Sequence, residues 1–521
     1  MAAWPCTGRS LVRALLGPLF VGLMVGCADE LGDYDRTIST AFQDPLSTRA
    51  GQLFQHAAAE HPGESGFAII RHGREAFTAR IAFTELAEHS LDVQYYIWET
   101  DATGFILMDR LLRAADRGVR VRVLVDDINL TGRDDRAAAM DVHPNVEVHV
   151  FNPFRHRDSR LIDFAIDLGR VNHRMHNKIM VVDNAMAIVG GRNIGDHYFE
   201  VASDANFRDL DIAAAGPVVP EISEVFDHFW NGDWAVPISA LVDRPYTEAD
   251  LEATVAYLRE QIAAVDYPHP LDQDVGTLVS ELSAIRDQFI WAPGRVVWDD
   301  PQRITEGIAQ GAMAEALFRK VDTLQTELLM ESAYFVMPAF GMDKIVELVG
   351  RNVRVRVLTN SLASNDVIAA HAGHAKRRKQ LVESGVELYE LRPDADALRR
   401  NAGAHSDAQS VSSSLHTKAV VFDRESVFIG SFNLDPRSGS INTEAGLYVE
   451  SPALAEQVIA FMDEGVRPEN SFRVQLDDSG ELVWVTEVDG VEVRFEHDPY
   501  SSFWDRLVAR FIAMLPIEHQ L

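Results

Sequence analysis

The sequence predicts an α/β protein built from two tandem domains folded alike, and two observations carry that prediction. A strand–helix–strand block occurs twice. LDVQYYIW (91–98) leads through a helical stretch to GVRVRVLVDD (118–127), and LLMESAYF (328–335) leads through another to NVRVRVLTNS (352–361). Further along each copy, RMHNKIMVVDNAMAIVGGRN (174–193) is matched by SLHTKAVVFDRESVFIGSFN (414–433). Strands separated by helices of 10–15 residues imply a parallel or mixed sheet, and matching blocks in the same order set the domain count at two.

Composition bounds the function. Of 521 residues 47% are hydrophobic and 24% charged, which is globular composition able to bury a large core. Acids outnumber Lys plus Arg by 79 to 48, a net charge of -31. A protein that grips nucleic acid through phosphates is expected to be basic, so no nucleic-acid partner is expected. Only six of the cationic residues are Lys: 178, 320, 344, 376, 379 and 418. Where Arg serves as the generic cation, a Lys marks a need for a compact ammonium.

Along the chain, residues 1–27 read as a secretory signal. Arg9 and Arg13 precede a short apolar run, and Met24-Val25-Gly26-Cys27 ends it. Small residues before a cysteine at this point resemble a bacterial lipobox, which implies cleavage before Cys27 and lipidation of its thiol. No other stretch approaches the roughly 18 apolar residues of a spanning helix. Residues 28–50 are a linker, 51–288 the first domain and 289–521 the second. The Glu/Leu/Ala-rich stretch 246–264 reads as helix, the Ser-rich stretch 398–414 as loop, and 475–495 as a late hairpin turning at Asp489-Gly490. In 501–515, Trp504, Leu507, Val508, Phe511 and Leu515 share one helical face beside Arg506 and Arg510, a face that suits a membrane surface or the second domain.

The chemistry lies in the paired blocks. Each carries His-x-Lys-x4-Asp: His176, Lys178 and Asp183, then His416, Lys418 and Asp423. Gly190-Gly191 and Asn193 follow the first, Gly430-Ser431 and Asn433 the second. The runs IMVV and AVVF read as buried strands, so a His and a Lys two apart point to one side. A neutral imidazole attacks phosphorus and a protonated one is a general acid. Lys and Asn hold nonbridging oxygens as charge develops. One half supplies one imidazole, and two facing halves supply both. Asp183 and Asp423 follow the strands and read as structural anchors of the motif. No Lys precedes Ser or Thr, which excludes a Walker A loop, and no His precedes Glu, which excludes an HExxH zinc site. No metal and no cofactor are expected.

The paired motif resembles the phospholipase D superfamily. The blocks GRNIGDHYF (191–199), FRDLDIAAAGPVV (207–219), GSFNLDPRSGSINTEAGLYVES (430–451) and 358–393, with LPIEHQL (515–521), resemble its bacterial cardiolipin synthase branch. The resemblance implies two phospholipase D-type α/β/α sandwich domains related by a pseudo-two-fold axis around one active site. It implies a phosphohistidine mechanism in which His176 and His416 are nucleophile and acid/base, with precedent favouring His176 as nucleophile. Lys178, Lys418, Asn193, Asn433 and Ser431 would bind the phosphate. Asp209 and Glu444 fall at matching positions, each able to orient an imidazole, and which carboxylate serves which His stays open. Phospholipids and a membrane surface are the expected partners, with no obligate protein partner. The expected location is the bacterial envelope, lipid-anchored and facing the periplasm. The expected reaction makes cardiolipin from phosphatidylglycerol. The alternatives are hydrolysis to phosphatidic acid and a nuclease of the same superfamily. His371, His374 and the cluster Lys376–Lys379 are candidates for a headgroup or acceptor site, against a solvated helix face.

Overall fold

The structure, a computed structural model, describes residues 37–265, 267, 286–395, 411–515 and 520. The signal segment with Cys27, the start of the linker and most of the Ser-rich stretch 398–414 lie outside the described residues.

In chain order the first half contributes β1 (Ser65–Ile70), β2 (Ser90–Tyr95), β3 (Arg120–Asp126), β4 (Val146–Phe151), β5 (Ile179–Val182), β6 (Met186–Gly190), β7 (Ala205–Arg208), β8 (Asp211–Ala215), β9 (Ala235–Pro237) and β10 (Ile290–Ala292). The second contributes β11 (Gly294–Trp298), β12 (Glu327–Ser332), β13 (Arg354–Asn360), β14 (Glu387–Leu391), β15 (Ser412–Leu415), β16 (Lys418–Phe422), β17 (Ser426–Gly430), β18 (Ala445–Glu450), β19 (Ser471–Leu476), β20 (Leu482–Val488) and β21 (Val491–Phe495).

One sheet runs β10-β1-β8-β6-β5-β2-β3-β4-β9, and the other β11-β18-β17-β16-β12-β13-β14-β19-β20-β21. The order β1-β8-β6-β5-β2-β3-β4-β9 reappears as β11-β18-β17-β16-β12-β13-β14-β19, with the same parallel pairs at β2/β3/β4 and β12/β13/β14. The repeat read in the sequence is thus a repeat of topology. The Val-rich runs VRVRVLV and VRVRVLT form strands covered on both faces, as parallel strands require. The crossovers from β2 to β3 and from β12 to β13 are the helices Ala102–Asp116 and Ala339–Gly350. The first is capped by the Asp101 carboxylate accepting from Gly104 N–H.

The inner faces of the two sheets share one core: Phe67, Ile179 and Val189 meet Ala419, Val421 and Ile429, and the helices Val218–Trp230 and Pro452–Gly465 pack into it. Helices on the outer faces close two further cores. The layers are those of two α/β/α sandwiches.

Three local expectations need comment. The chain leaves the first sheet at Ala292 and enters the second at Gly294, a few residues past the boundary expected at 288, because β10 adds to the edge of β1. The end of the expected Ser-rich loop is a strand: β15 pairs in parallel with β7 of the other half and stitches the halves together. The late hairpin is present as β20 and β21, with Asp489 and Gly490 at φ 51° and 78°, the two-residue turn that Asp-Gly favours.

Candidate active site

Each signature histidine sits just before a central strand, β5 or β16, and each is delivered to the interface between halves by backbone bonds from the opposite half. His176 N–H donates to Thr443 O at 2.8 Å, and His416 N–H donates to Arg208 O at 2.8 Å. Residues at the ends of matching strands fix the backbone one step earlier. Asp126 accepts from Met175 N–H at 2.8 Å, and Asn360 accepts from Leu415 N–H at 2.8 Å.

The carboxylates cross over as well. His176 Nδ1 lies 2.8 Å from Glu444 Oε2, and His416 Nδ1 lies 2.6 Å from Asp209 Oδ2. His176 Nδ1 also lies 3.0 Å from the carbonyl oxygen of Ser431. A carbonyl only accepts, so Nδ1 carries the hydrogen and Nε2 keeps its lone pair. Lys178 Nζ donates to His176 O and Lys418 Nζ to His416 O, both at 2.5 Å. The six residues are all buried, none more than 7% exposed.

Burial sets the protonation states. Desolvation, then the two ammonium groups, hold both imidazoles well below their ordinary pKa. Desolvation also lowers Lys178 and Lys418, against the pull of Glu444 and Asp209. It raises Glu444 to about 7 and Asp209 above the usual carboxylate range, with the lysines opposing. The burial that favours the neutral form of both imidazoles, one oriented by a carboxylate from each half, also leaves both lysines short of solvation. An anionic phosphodiester would give them a counter-charge.

Several candidate residues are placed elsewhere. Asp183 and Asp423 stand at the far ends of β5 and β16, away from the imidazoles. Both have positive φ (50° and 51°) in tight hairpins. The Asp183 carboxylate accepts from the N–H groups of Glu88, His89 and Ser90, and Asp423 accepts from those of Gln325, Thr326 and Glu327. Ser431 is not turned to a phosphate slot: its hydroxyl donates to Glu444 Oε2 at 2.5 Å and accepts from Ala445 N–H, so its capacity is committed. Asn193 Oδ1 accepts from Ile97 N–H and its amide donates to the Tyr198 hydroxyl, which leaves one amide hydrogen. Asn433 is buried, with its Oδ1 unpartnered among the described residues.

The block 358–393 is corrected more strongly. His371, His374 and Arg378 are buried within the helix Ile368–Glu383, neither lining the site nor solvated. His374 and Arg378 meet Glu390, and Arg378 pairs with Asp498. Lys379 turns to Glu481. Arg378 needs its buried partners, which bring it inward, while Lys376 stays exposed and Lys379 half-exposed.

Three contributors escaped the sequence reading. Tyr96 stands edge-on to His176 at 4.9 Å, and Tyr198 edge-on to His416 at 5.0 Å. Arg437 donates to Asn172 O at 2.8 Å and adds positive potential at His176. Tyr96 lies one residue beyond the end of β2, where alternation stops assigning a face.

Comparison with known proteins agrees with this fold. The family described as "Cardiolipin synthase, PLD-like domain" matches residues 81–230 and 317–465, together more than half of the chain. Cardiolipin synthase C of Escherichia coli (strain K12) is 38% identical over 480 residues, 88% of this chain and 97% of its own. An uncharacterized Helicobacter pylori protein (strain ATCC 700392 / 26695) is 30% identical over 477 residues, 91% of this chain and 93% of its own. In fold, the crystal structure of phosphatidylserine synthase from Haemophilus influenzae Rd KW20 superposes with a TM-score of 0.57 at 14% identity, covering 90% of this chain and 99% of that one. With a duplicated fold, two reciprocal His–carboxylate pairs and these relatives, the chain belongs to the phospholipase D superfamily, in its cardiolipin synthase-like branch.

Proposed function

We propose that the protein is a phosphatidyltransferase that makes cardiolipin from phosphatidylglycerol through a phosphohistidine intermediate. The observation that carries this reading is the reciprocal pairing of two Nδ1-anchored imidazoles with carboxylates of the opposite half, beside two buried lysines. Lys178, Lys418 and Asn433 hold the nonbridging oxygens. His176 Nε2 attacks phosphorus, the bond to the glycerol oxygen breaks, and His416 gives that oxygen a proton. The bound phosphate's negative charge is what lets His416 carry the proton beforehand. His416 then takes a proton from the incoming hydroxyl, which attacks phosphorus and frees His176. Glu444 stabilises the cationic character of the modified His176. Burial of the site supports an alcohol acceptor over water, because bulk water competes for any exposed phosphohistidine.

Location follows the same reading. Lipidation at Cys27 tethers the chain to the envelope, and the helix Phe503–Ala513 rests on the bilayer. That helix buries only Ala509, and Trp504 and Phe511 are 69% and 59% exposed.

The test is product analysis with purified protein and phosphatidylglycerol vesicles. Cardiolipin in excess of phosphatidic acid is expected. A predominance of phosphatidic acid would leave a hydrolase. With His416→Asn, labelled lipid is expected to stay on the denatured chain at alkaline pH, and label held by the His176→Asn variant instead would reverse the two roles.

A further inference from the structure

The two imidazoles do not face equivalent neighbours. Strand β12 runs antiparallel to β16 with Ser332 opposite Lys418. One further backbone bond, Ala333 N–H to Thr417 O at 3.0 Å, carries that register past the strand end and brings Tyr334 opposite His416. Residues two apart share a face, so Tyr334 stands on the side to which His416 and Lys418 point. A later bond, Val336 N–H to Leu434 O at 2.8 Å, ties the same stretch to the segment of Asn433. In the first half β2 pairs with β5 as far as Gln94 and Ile179, and the same count sets Ile97 opposite His176. One imidazole thus faces a phenol and the other an aliphatic side chain.

Tyr334 brings a carboxylate with it. Its hydroxyl lies 3.0 Å from both carboxylate oxygens of Asp366, on the loop between β13 and the helix Ile368–Glu383. Burial, then Asp366, hold Tyr334 well above the ordinary tyrosine range, so it remains a phenol and donates. The charge of Asp366 reaches inward. At Lys418 it opposes the lowering by burial, and at Tyr198, whose ring is edge-on to His416, it adds to the raising by burial. Asp366 is exposed and Tyr334 half-buried, so the pair sits where the site opens to solvent.

That position selects the ligand. In the proposed reaction one alcohol leaves toward His416 and the next arrives there, so a group that reads the alcohol has to stand on that side. Lys178 and Lys418 attract the phosphate, and as ammonium groups neither accepts a hydrogen bond from an alcohol. A carboxylate offers about four lone-pair positions, and one phenol hydrogen leaves most of them open. A glycerol headgroup brings two neighbouring hydroxyls, one to be deprotonated by His416 and one to donate to Asp366. A headgroup ammonium would enter beside Lys418, which repels it. We infer that Asp366, positioned by Tyr334, forms the subsite that selects a vicinal diol as the alcohol exchanged at His416, an inference that rests on the proposed phosphatidyl transfer.

The test measures a choice between alcohols, which a general loss of fold does not mimic. Purified protein receives dioleoyl phosphatidylglycerol in mixed micelles with deuterated glycerol and 1-propanol at equal concentration. Mass spectrometry then counts deuterated phosphatidylglycerol against phosphatidylpropanol. The unaltered protein is expected to favour glycerol. Asp366→Ala is expected to lower the glycerol-to-propanol ratio by about tenfold or more, the effect of losing a hydrogen bond to a charged acceptor, and Tyr334→Phe to lower it in the same direction. No preference in the unaltered protein, or a ratio unchanged in either variant, overturns the inference. A parallel mixture replaces propanol with ethanolamine, and a preference for ethanolamine that Asp366→Ala abolishes would overturn the diol in favour of a cation. If the unaltered protein favours glycerol yet makes no cardiolipin in vesicles, the synthase reading fails and the subsite stands. If it makes cardiolipin while Asp366→Ala keeps the parent's ratio, the subsite alone fails. Phosphatidic acid as the sole product of the unaltered protein removes both.

Discussion

Glu444 shows at the scale of one residue how the site trades stability for chemistry. It is fully buried, and desolvation raises its pKa to about 7. A folded pKa above the unfolded value means stability present at low pH is lost as pH rises from the unfolded value through about 7. Glu444→Gln is therefore expected to gain roughly 1–3 kcal/mol at pH 8, seen as a higher thermal midpoint. The same change removes the charge that favours a cationic His176, so turnover should fall by about 10²–10⁴-fold. A variant both less stable at pH 8 and fully active would contradict this account of the carboxylate. The sequence made both carboxylates visible through the register of the repeat but left their pairing open, because pairing depends on how two domains face one another. Ser431 misled for a similar reason. A small hydroxyl residue beside a phosphate-binding Asn reads as a ligand until its bonds to Glu444 and Ala445 are seen.

At the scale of elements, the signature Asp is a clamp for a hairpin. Asp423 holds the N–H groups of Gln325, Thr326 and Glu327 at the edge of β12, and although burial opposes it, these bonds hold its pKa below the ordinary range. Asp423→Ala should cost about 1–3 kcal/mol, with activity per folded molecule largely kept. Because its folded pKa is depressed, its contribution exists above the unfolded value and disappears as pH falls through the folded one. The variant and the parent should then converge in urea titrations at acid pH. The helix Phe503–Ala513 makes the other prediction at this scale. Trp504→Glu with Phe511→Glu should weaken vesicle binding by about tenfold or more, while leaving turnover of a soluble diester intact. Equal binding by the double variant would remove the helix from the membrane reading. Its periodicity was plain in the sequence, but periodicity names an apolar face and not its partner. The helix Ile368–Glu383 is the counterexample: Arg378 looked like part of a surface cluster, and its partners Glu390 and Asp498 lie far off in the chain.

The whole molecule carries a charge of -31, which repels an anionic bilayer. Screening shortens that repulsion from about 30 Å at 0.01 M salt to about 8 Å at 0.15 M. Binding of the protein to phosphatidylglycerol vesicles is thus expected to strengthen over this range, the reverse of a phosphate-gripping basic protein. Weaker binding at 0.15 M would show that a local basic patch dominates. The two-fold architecture was legible from the repeats because eight strands keep one order in both halves. The β7–β15 stitch was not, since a Ser-rich segment offers no hydrophobic alternation from which to read a strand.

That stitch and the crossed carboxylates have a consequence for how such a chain can change over generations. Each half houses the group that tunes the other's imidazole: Asp209 for His416, Glu444 for His176. Neither half can therefore be retired to a scaffold while its twin keeps the reaction. A chimera that grafts one half from a distant relative imports a histidine whose tuning stays behind in the donor. The two copies are bound to drift together, as a lock and key cut from the same blank.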